Sequence, residues 1–299
     1  MVNASVNPGF TFDEAPKRTN SARYFFKVFL GRKVVIVGLA IILINAFAAI
    51  FAPWIAPYDP NAPDLNIPTA SPSAQHWLGT DTIGRDELSR MIYGARTSLI
   101  IGISVVIIAA GLGIILGLIA GYAGGIVSTI IMRFIDAFMA FPMMMLLIII
   151  AAVLGHGIMN IIVALGIGMM ASYARMMYGQ VVSAKQNDYV MAARLIGGKA
   201  SRIMFQHILP NCLAPLIVMM TMMLGSAILA EAGLSFLGMG INPPTATWGG
   251  MVSGGYKYVL TAPILSLVPG VAIMLLVFAF NMVGDGLRDV LDPRLRGTL

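Results

Sequence analysis

The sequence contains 299 residues, of which 58% are hydrophobic and only 11% are charged. A soluble domain carries about 45–50% apolar and about 25% charged residues, so this chain has too few charges to cover a water-exposed globule. Disordered chains are polar and charge-rich, and a disulfide scaffold needs paired cysteines, whereas this chain has a single Cys. The composition therefore predicts an integral membrane protein that is mostly helical.

Six apolar segments are long enough to cross the ~30 Å hydrocarbon core of a bilayer, which takes about 20 helical residues. The first is longer than the core of a signal peptide and lacks a cleavage site in the expected place, so we expect it to remain as a span. The run 137–174 is too long for one span, and Gly155-His156-Gly157 divides it. The short apolar segment 126–132 either extends the third helix or lies in the interface. The predicted spans are 34–55, 97–122, 137–154, 158–174, 213–237 and 262–284.

The basic residues argue against a nucleic-acid partner, because they flank the apolar runs instead of forming one patch. Six spans place both termini on one side, and an excess of Lys and Arg marks the cytoplasmic side. Fifteen of the 19 Lys and Arg residues fall in segments assigned to that side. The predicted organisation is a cytoplasmic segment 1–33, a first span 34–55, an external loop 56–96, a five-helix core 97–287 with an inner loop 175–212, and a cytoplasmic tail 288–299.

The external loop is proline-rich at its start and then becomes charged. A turn at Gly84 is followed by an amphipathic pattern that predicts a short helix over 86–93. Such a helix could lie on the bilayer surface or dock an external partner, and the pattern allows both.

Polar groups inside the predicted spans are the candidates for a transport pathway. Glu231 lies about 17 residues into the fifth span, roughly 26 Å along it at 1.5 Å per residue, which places it near the outer boundary. There it could face a pathway or pair with Lys257 or an Arg of the external loop. Asn160 and Asn281 could line a pathway or form hydrogen bonds between helices.

Motifs for catalysis and for cofactor binding are absent from the sequence. Gly198-Lys199 has Ala193 and Ala200 where a phosphate-binding loop needs Gly and Ser or Thr, so ATP binding by that motif is not expected. The three His residues are far apart and there is no Cys pair, so no metal site is predicted. The sequence therefore favours a non-catalytic protein without a cofactor.

The inner loop is too long for a turn and too polar to span. Asn187 and Asp188 can cap a helix over 189–196, and Gly197-Gly198 can end it because glycine readily supplies a positive φ. A second helix is predicted from Lys199 to Ile208, ending at Pro210. The first helix is slim at Ala192 and Ala193 and could enter a groove on another protein, although a plain amphipathic linker would look similar.

This inner loop resembles the Glu-Ala-Ala loop of binding-protein-dependent ABC importer permeases. Ala192, Ala193, Gly197, Leu209 and Pro210 fit that pattern, and Met191 stands where Glu is usual. Further segments resemble the second permease subunit of dipeptide, oligopeptide and nickel importers. These are 76–81, 84–86, 93–96, 233–238, 243–244, 248–249, 281–289 and 292–293.

The resemblance implies the fold of a type I ABC importer permease in the cell inner membrane, with both termini inside. It implies a second permease subunit as heterodimer partner, two cytoplasmic ATP-binding subunits and an external substrate-binding protein. This chain would then form half of a pathway for di- or oligopeptides, or alternatively for nickel or another small solute. A stand-alone secondary transporter would need more ionisable groups in its spans than Glu231. The residues implied in coupling to the ATPases are Asp188, Tyr189, Ala192, Ala193, Arg194, Gly197 and Gly198.

Overall fold

The computed structural model describes residue 26 and residues 28–291. Helices and turns make up this part of the chain together with one isolated β-bridge, between Thr80 and Asp86, which confirms the predicted all-α fold. Most of the predicted segment 1–33 and most of the predicted tail lie outside the described residues. The helices are α1 (Lys33–Ile50), α2 (Ala52–Ile55), α3 (Glu87–Ala123), α4 (Gly125–Ala140), α5 (Met143–Leu154), α6 (Ile158–Ala184), α7 (Asp188–Leu195), α8 (Ala200–Arg202), a π-helix (Ile203–Ile208), α9 (Leu209–Phe236), α10 (Trp248–Tyr256) and α11 (Ile264–Leu291).

Among the described residues, five helical segments are long and apolar enough to cross a membrane: α1, α3, α6, α11 and the run Ala200–Phe236 that ends with α9. The pair α4 and α5 makes a sixth if it is counted as one span, and the two helices are bent by 99°. The prediction of one continuous third span over 137–154 is therefore wrong. Phe141 is extended there, because a residue that precedes proline is disfavoured in the helical region, and Pro142 follows it.

The prediction of a separate short helix in the external loop is also wrong. Residues 86–93 enter α3, which runs without a break from Glu87 to Ala123. Asp86 caps this helix by accepting a hydrogen bond from the backbone N–H of Ser89 at 2.8 Å. A helix of 37 residues is about 55 Å long at 1.5 Å per residue. Its first turns therefore extend beyond the apolar segment that begins at residue 97.

The longest helix, α3, packs along α6 through glycines spaced four residues apart. Gly113, Gly117 and Gly121 are buried on one face, and a Cβ atom added at Gly117 would lie 2.4 Å from the Ala174 carbonyl oxygen. Small residues at this spacing let two helices approach closely. The core of the bundle is therefore built around the α3–α6 contact, and α9, α11 and α1 pack beside it.

The short helix α10 fixes the start of α3 to the rest of the bundle. Trp248 is buried, and its indole N–H donates to the Met91 carbonyl at 3.0 Å. Gly94 leaves room for that indole, because a Cβ atom there would lie 2.7 Å from Trp248 Cδ1. We call the end of the bundle that carries residues 56–96 and α10 the outer end, and the end that carries residues 185–208 the inner end, after their predicted sides.

Candidate functional site at the inner end

The inner helix-turn-helix consists of residues 185–208, which contain α7, α8 and the π-helix. The predicted first helix is confirmed as α7, Asp188–Leu195, with Asn187 as its N-cap residue. The Asn187 side chain makes no capping hydrogen bond, so the helix begins there through its backbone alone. Asp188 lies in the first turn and Arg194 in the last, an arrangement that complements the helix dipole.

The turn after α7 is closed by two glycines, as the sequence predicts. The Gly198 N–H donates to the Ala193 carbonyl and the Gly197 N–H donates to the Arg194 carbonyl, both at 3.0 Å. This pair of hydrogen bonds is the Schellman termination, which requires a left-handed residue, and Gly197 has φ +77°. A Cβ atom at Gly198 would lie 2.6 Å from the Ala193 carbonyl oxygen. A side chain at position 198 would therefore collide with that carbonyl group.

The predicted end of the second helix at Pro210 is wrong. The chain continues through a π-helix, Ile203–Ile208, directly into α9, and Pro210 lies in the first turn of α9. Proline has no N–H and its ring collides with the carbonyl four residues earlier. The wider turn of the π-helix before Pro210 accommodates the proline ring and the missing hydrogen bond. Single π-helical turns are frequent at functional sites. The inner helix-turn-helix is thus continuous with a membrane-spanning helix.

One face of α7 packs on the bundle and the other faces solvent. Val190 and Ala193 are buried in a cluster with residues of α6, the π-helix and α9. Ala193 therefore packs against this chain's own core, although the sequence suggested that it enters a groove of a partner. The neighbouring Leu195 and Ile196 are 88% and 86% exposed. Asp188, Tyr189, Ala192 and Arg194 are also exposed.

Two basic side chains link the inner helix-turn-helix to the end of α3. The Lys185 ammonium donates to the Tyr122 carbonyl at 2.8 Å and to the Gly121 carbonyl at 3.4 Å. These carbonyls belong to the last turn of α3, where helices leave acceptors unpaired and favour cations. The Arg194 guanidinium lies 5.0 Å from the centroid of the Tyr122 ring. Sequence analysis did not identify Lys185 or Tyr122, since their contact joins distant parts of the chain.

The candidate pathway residue Glu231 is enclosed by the bundle. It is 1% exposed, and its Oε1 accepts a hydrogen bond from Ser235 Oγ at 2.8 Å. Its Oε2 has no hydrogen-bond partner among the described residues. The suggested ion pair with Lys257 or an Arg of the external loop is not formed in that part of the chain.

The two candidate pathway asparagines have different surroundings. Asn160 donates to the carbonyls of Leu154 at 2.6 Å and His156 at 3.2 Å, so it stabilises the turn between α5 and α6. Asn281 lies partly buried on α11. The assignment of either residue to a pathway stays a prediction.

An ion pair that sequence analysis missed joins α4 to α6. Asp136 accepts a hydrogen bond from Arg175, and both side chains are almost half exposed, at 42% and 45%. The predicted inner loop 175–212 begins with Arg175, but this residue lies within α6. The pair connects the broken span α4–α5 to the longest interface of the bundle.

The outer end buries a cluster of charged residues where the external loop meets α3. Asp81 accepts hydrogen bonds from the Arg85 backbone N–H at 3.0 Å and from Arg85 Nε at 2.6 Å. Arg90 Nε lies 3.4 Å from the same carboxylate, and Arg90 Nη1 donates to the Pro60 carbonyl at 3.0 Å. Asp86 pairs with His76 Nδ1 at 2.8 Å.

The chain matches two family models. Residues 113–297 match the model described as binding-protein-dependent transport system inner membrane component. Residues 21–72 match the model described as N-terminal TM domain of oligopeptide transport permease C.

Several curated proteins are similar over nearly the whole chain. The di/tripeptide transport system permease protein DppC of Pseudomonas aeruginosa is 44% identical, over 91% of this chain and 92% of that protein. The dipeptide transport system permease protein DppC of Haemophilus influenzae is 43% identical, over 94% and 97%. The glutathione transport system permease protein GsiD of Escherichia coli is 41% identical, over 91% and 90%.

Proposed function

Because this chain belongs to the family of binding-protein-dependent transport system inner membrane components, we propose that its inner helix-turn-helix is the contact through which cytoplasmic ATPases drive transport. The chain is a permease subunit of a peptide ABC importer, as its dipeptide-permease relatives indicate. It is a multi-pass protein of the inner membrane. The proposal concerns the partners to which this chain couples and the residues that make the contact.

The observation that carries the proposal is the exposed apolar pair at the end of α7. Leu195 and Ile196 are almost fully exposed on a turn that glycine hydrogen bonds hold rigid. Contiguous apolar side chains in water indicate a surface that a partner covers. Ala192 and Tyr189 lie exposed on the same short helix, so a slim apolar face is available to a groove on an ATPase subunit.

Two contacts can transmit movement of this element into the membrane. Arg194 and Lys185 connect it to Tyr122 at the end of α3, and the π-helix connects it to α9. Displacement of α7 by a closing ATPase pair would therefore move both helices together as a rigid body. Such a displacement can shift the bundle between two packed arrangements.

The same proposal includes the arrangement of the complex. Both termini are inside, a second permease subunit supplies the other half of the pathway, two ATP-binding subunits lie beneath α7, and an external binding protein meets the outer end. Support comes from the distribution of Lys and Arg along the sequence and from an even number of spans when α4 and α5 are counted as one. ATP is then hydrolysed on the partner subunits and not on this chain.

A pair of charge substitutions tests the contact. Leu195→Asp combined with Ile196→Asp should lower the amount of ATPase that co-purifies with the permease by at least tenfold, which corresponds to about 1.4 kcal/mol. ATP-dependent uptake of dipeptides into cells should fall with it. The matched control is Leu260→Asp, which changes an equally exposed apolar residue at the outer end and should leave ATPase co-purification unchanged. Normal co-purification of the double variant would reject the contact.

A further inference from the structure

The ion pair between Asp136 and Arg175 lies at a depth where the surrounding helices are apolar. Ala174, the residue before Arg175, packs against α3, because a Cβ atom at Gly117 would lie 2.4 Å from the Ala174 carbonyl oxygen. Gly117 precedes the inner end of α3 by six residues, which is about 9 Å at 1.5 Å per residue. The ion pair therefore lies within the span and not at its end.

A charged pair at this depth needs water around it. A guanidinium carries five N–H donors, and within the described part of the chain the only hydrogen bond of the Arg175 side chain goes to Asp136. Lipid tails offer no acceptor for the remaining donors. Charged side chains in spans therefore face the interior of a bundle or a water-filled cavity. Because both side chains of this pair are almost half exposed, we infer that they face water.

The exposed face of α6 around Arg175 is polar or small. Ser172, Arg175, Gly179 and Ser183 follow each other at intervals of three or four residues, which places them on one face of the helix. Each of them is partly or fully exposed. Exposed residues of α1, by contrast, are large and apolar, as expected for a surface that faces lipid.

The exposed surface of α4 is divided into a polar and an apolar face. Thr129, Arg133 and Asp136 are spaced four and three residues apart and lie on one face. Ile130 and Phe134, which are 65% and 50% exposed, lie on a different face. The apolar face suits contact with lipid. The polar face of α4 continues the polar face of α6 through the ion pair.

We propose that the Asp136–Arg175 ion pair and the polar faces of α4 and α6 line the translocation pathway on this subunit and contact the passing peptide. A peptide carries an ammonium group and a carboxylate, which an acidic and a basic side chain lying side by side complement. The inference rests on the proposed function in one respect, namely that this chain supplies half of a peptide pathway. It assigns the wall of that pathway to α4 and α6 instead of to Glu231, which is buried.

Two cysteine variants at similar depth test whether the polar face meets water. Ser172→Cys lies on the polar face of α6. Its matched control is Ile115→Cys on α3, between the glycines that pack on α6, where the native side chain is 51% exposed. Both are treated with the charged thiol reagent methanethiosulfonate ethylsulfonate in inside-out vesicles that contain the complete transporter, without nucleotide and with an ATP analogue. The wild-type chain, whose single cysteine Cys212 is buried, gives the background.

In at least one of the two nucleotide states, Ser172→Cys should react about tenfold faster than Ile115→Cys, because the thiolate that reacts forms in water and not in lipid. Equal rates for the two variants in both states would overturn the proposal. Reaction of Ser172→Cys only after the second permease has been removed would also overturn it, since the polar face would then be a subunit interface.

The charge of the transported peptide provides the second test. Asp136→Asn leaves Arg175 without its carboxylate, so uptake of alanyl-glutamate relative to alanyl-lysine should rise about threefold, and Arg175→Gln should shift the ratio in the opposite direction. The matched control is Asp289→Asn, which neutralises the carboxylate of the partly exposed pair Arg32–Asp289 outside the predicted spans and should leave the ratio unchanged. Equal loss of both peptides in both pathway variants would overturn the contact with the peptide, because a purely structural ion pair would lower them alike.

Co-purification separates this inference from the proposed function. If Leu195→Asp combined with Ile196→Asp releases the ATPase but Ser172→Cys and Ile115→Cys react alike, the pathway wall is wrong and the proposed function stands. If the wild-type transporter imports no peptide at all, the proposed function fails first.

Discussion

The outer end of this bundle buries charged side chains, whereas the inner end exposes apolar ones. At the outer end, Asp81, Arg85 and Arg90 form a buried ion cluster that holds the external loop on α3. At the inner end, Leu195 and Ile196 face solvent.

The difference lies in the contacts that hold each element in place. The buried charges of this ion cluster have their partners within the chain, so these contacts organise the external loop. Exposed apolar residues gain from burial only when another surface covers them, and this is the basis of the partner contact proposed for the inner end. The following substitutions test this contrast, starting with the largest expected effect.

Breaking the outer ion cluster should have the largest effect on stability. Asp81→Ala leaves Arg85 and Arg90 buried without their shared carboxylate, and removal of one partner from a buried pair costs about 3–5 kcal/mol. We expect a large drop in the thermal midpoint of the purified protein and poor recovery from membranes. Asp59→Ala, on the exposed surface of the same loop, should leave both unchanged. A wild-type midpoint for Asp81→Ala would show that the cluster does not hold the loop.

Adjacent alanines at the inner end should respond differently to the same substitution. Ala193→Asp places a carboxyl group in the apolar cluster beside Val190, which costs more than the about 1–3 kcal/mol of burying a neutral polar group. The inner helix-turn-helix should then detach, and trypsin should cleave it faster at Arg194 in inside-out vesicles. Ala192→Asp changes an exposed position and should leave the cleavage rate unchanged while it lowers ATPase co-purification.

Equal cleavage of both variants would contradict the two-faced packing of α7.

Five of the six predicted spans correspond to helices long enough to cross a membrane, because length and apolar composition determine such helices directly. The ends of helices could not be predicted wherever a contact from elsewhere in the chain decides them. The pattern over 86–93 suggested a separate surface helix, but Trp248 packs on Gly94 and α3 continues. Pro210 suggested a helix end, but the π-helix before it carries the chain into α9.

Side-chain partners were predicted least well. Ala192 and Ala193 are the same residue type in adjacent positions, so the sequence could not show that only Ala193 is buried. Asp136 and Arg175 lie 39 positions apart, and no local periodicity pairs them. The glycine turn at Gly197 was predicted because a positive φ is a local property of the backbone.

The backbone conformation of Gly197 should matter more for coupling to the ATPases than the space around its Cα atom. A Cβ atom at Gly197 meets no atom within 4 Å, but its φ of +77° is one that side chains resist, at about 1–2 kcal/mol per residue. Gly197→Ala should therefore reduce the stimulation of ATPase activity by peptide-loaded binding protein, and Gly197→Val should reduce it further. The control is Gly179→Ala on α6, which has equal space and an ordinary φ. Similar losses at both positions would mean that the turn conformation is not required.

Glu231→Gln should have the smallest effect, although Glu231 is an ionisable residue buried in a span. Gln preserves the volume and the Oε1 acceptor for Ser235, and it removes a carboxylate oxygen that has no partner. Replacing a buried carboxyl group by an amide of the same shape should change stability by less than about 1 kcal/mol. Peptide uptake should stay within about twofold of wild type. Glu231→Ala is the informative contrast, because it leaves a cavity and an unpaired Ser235 and should lower the thermal midpoint. If Glu231→Gln abolished uptake while assembly stayed normal, the carboxylate itself would be required for transport, and Glu231 would belong to the pathway instead of to the packing of α9.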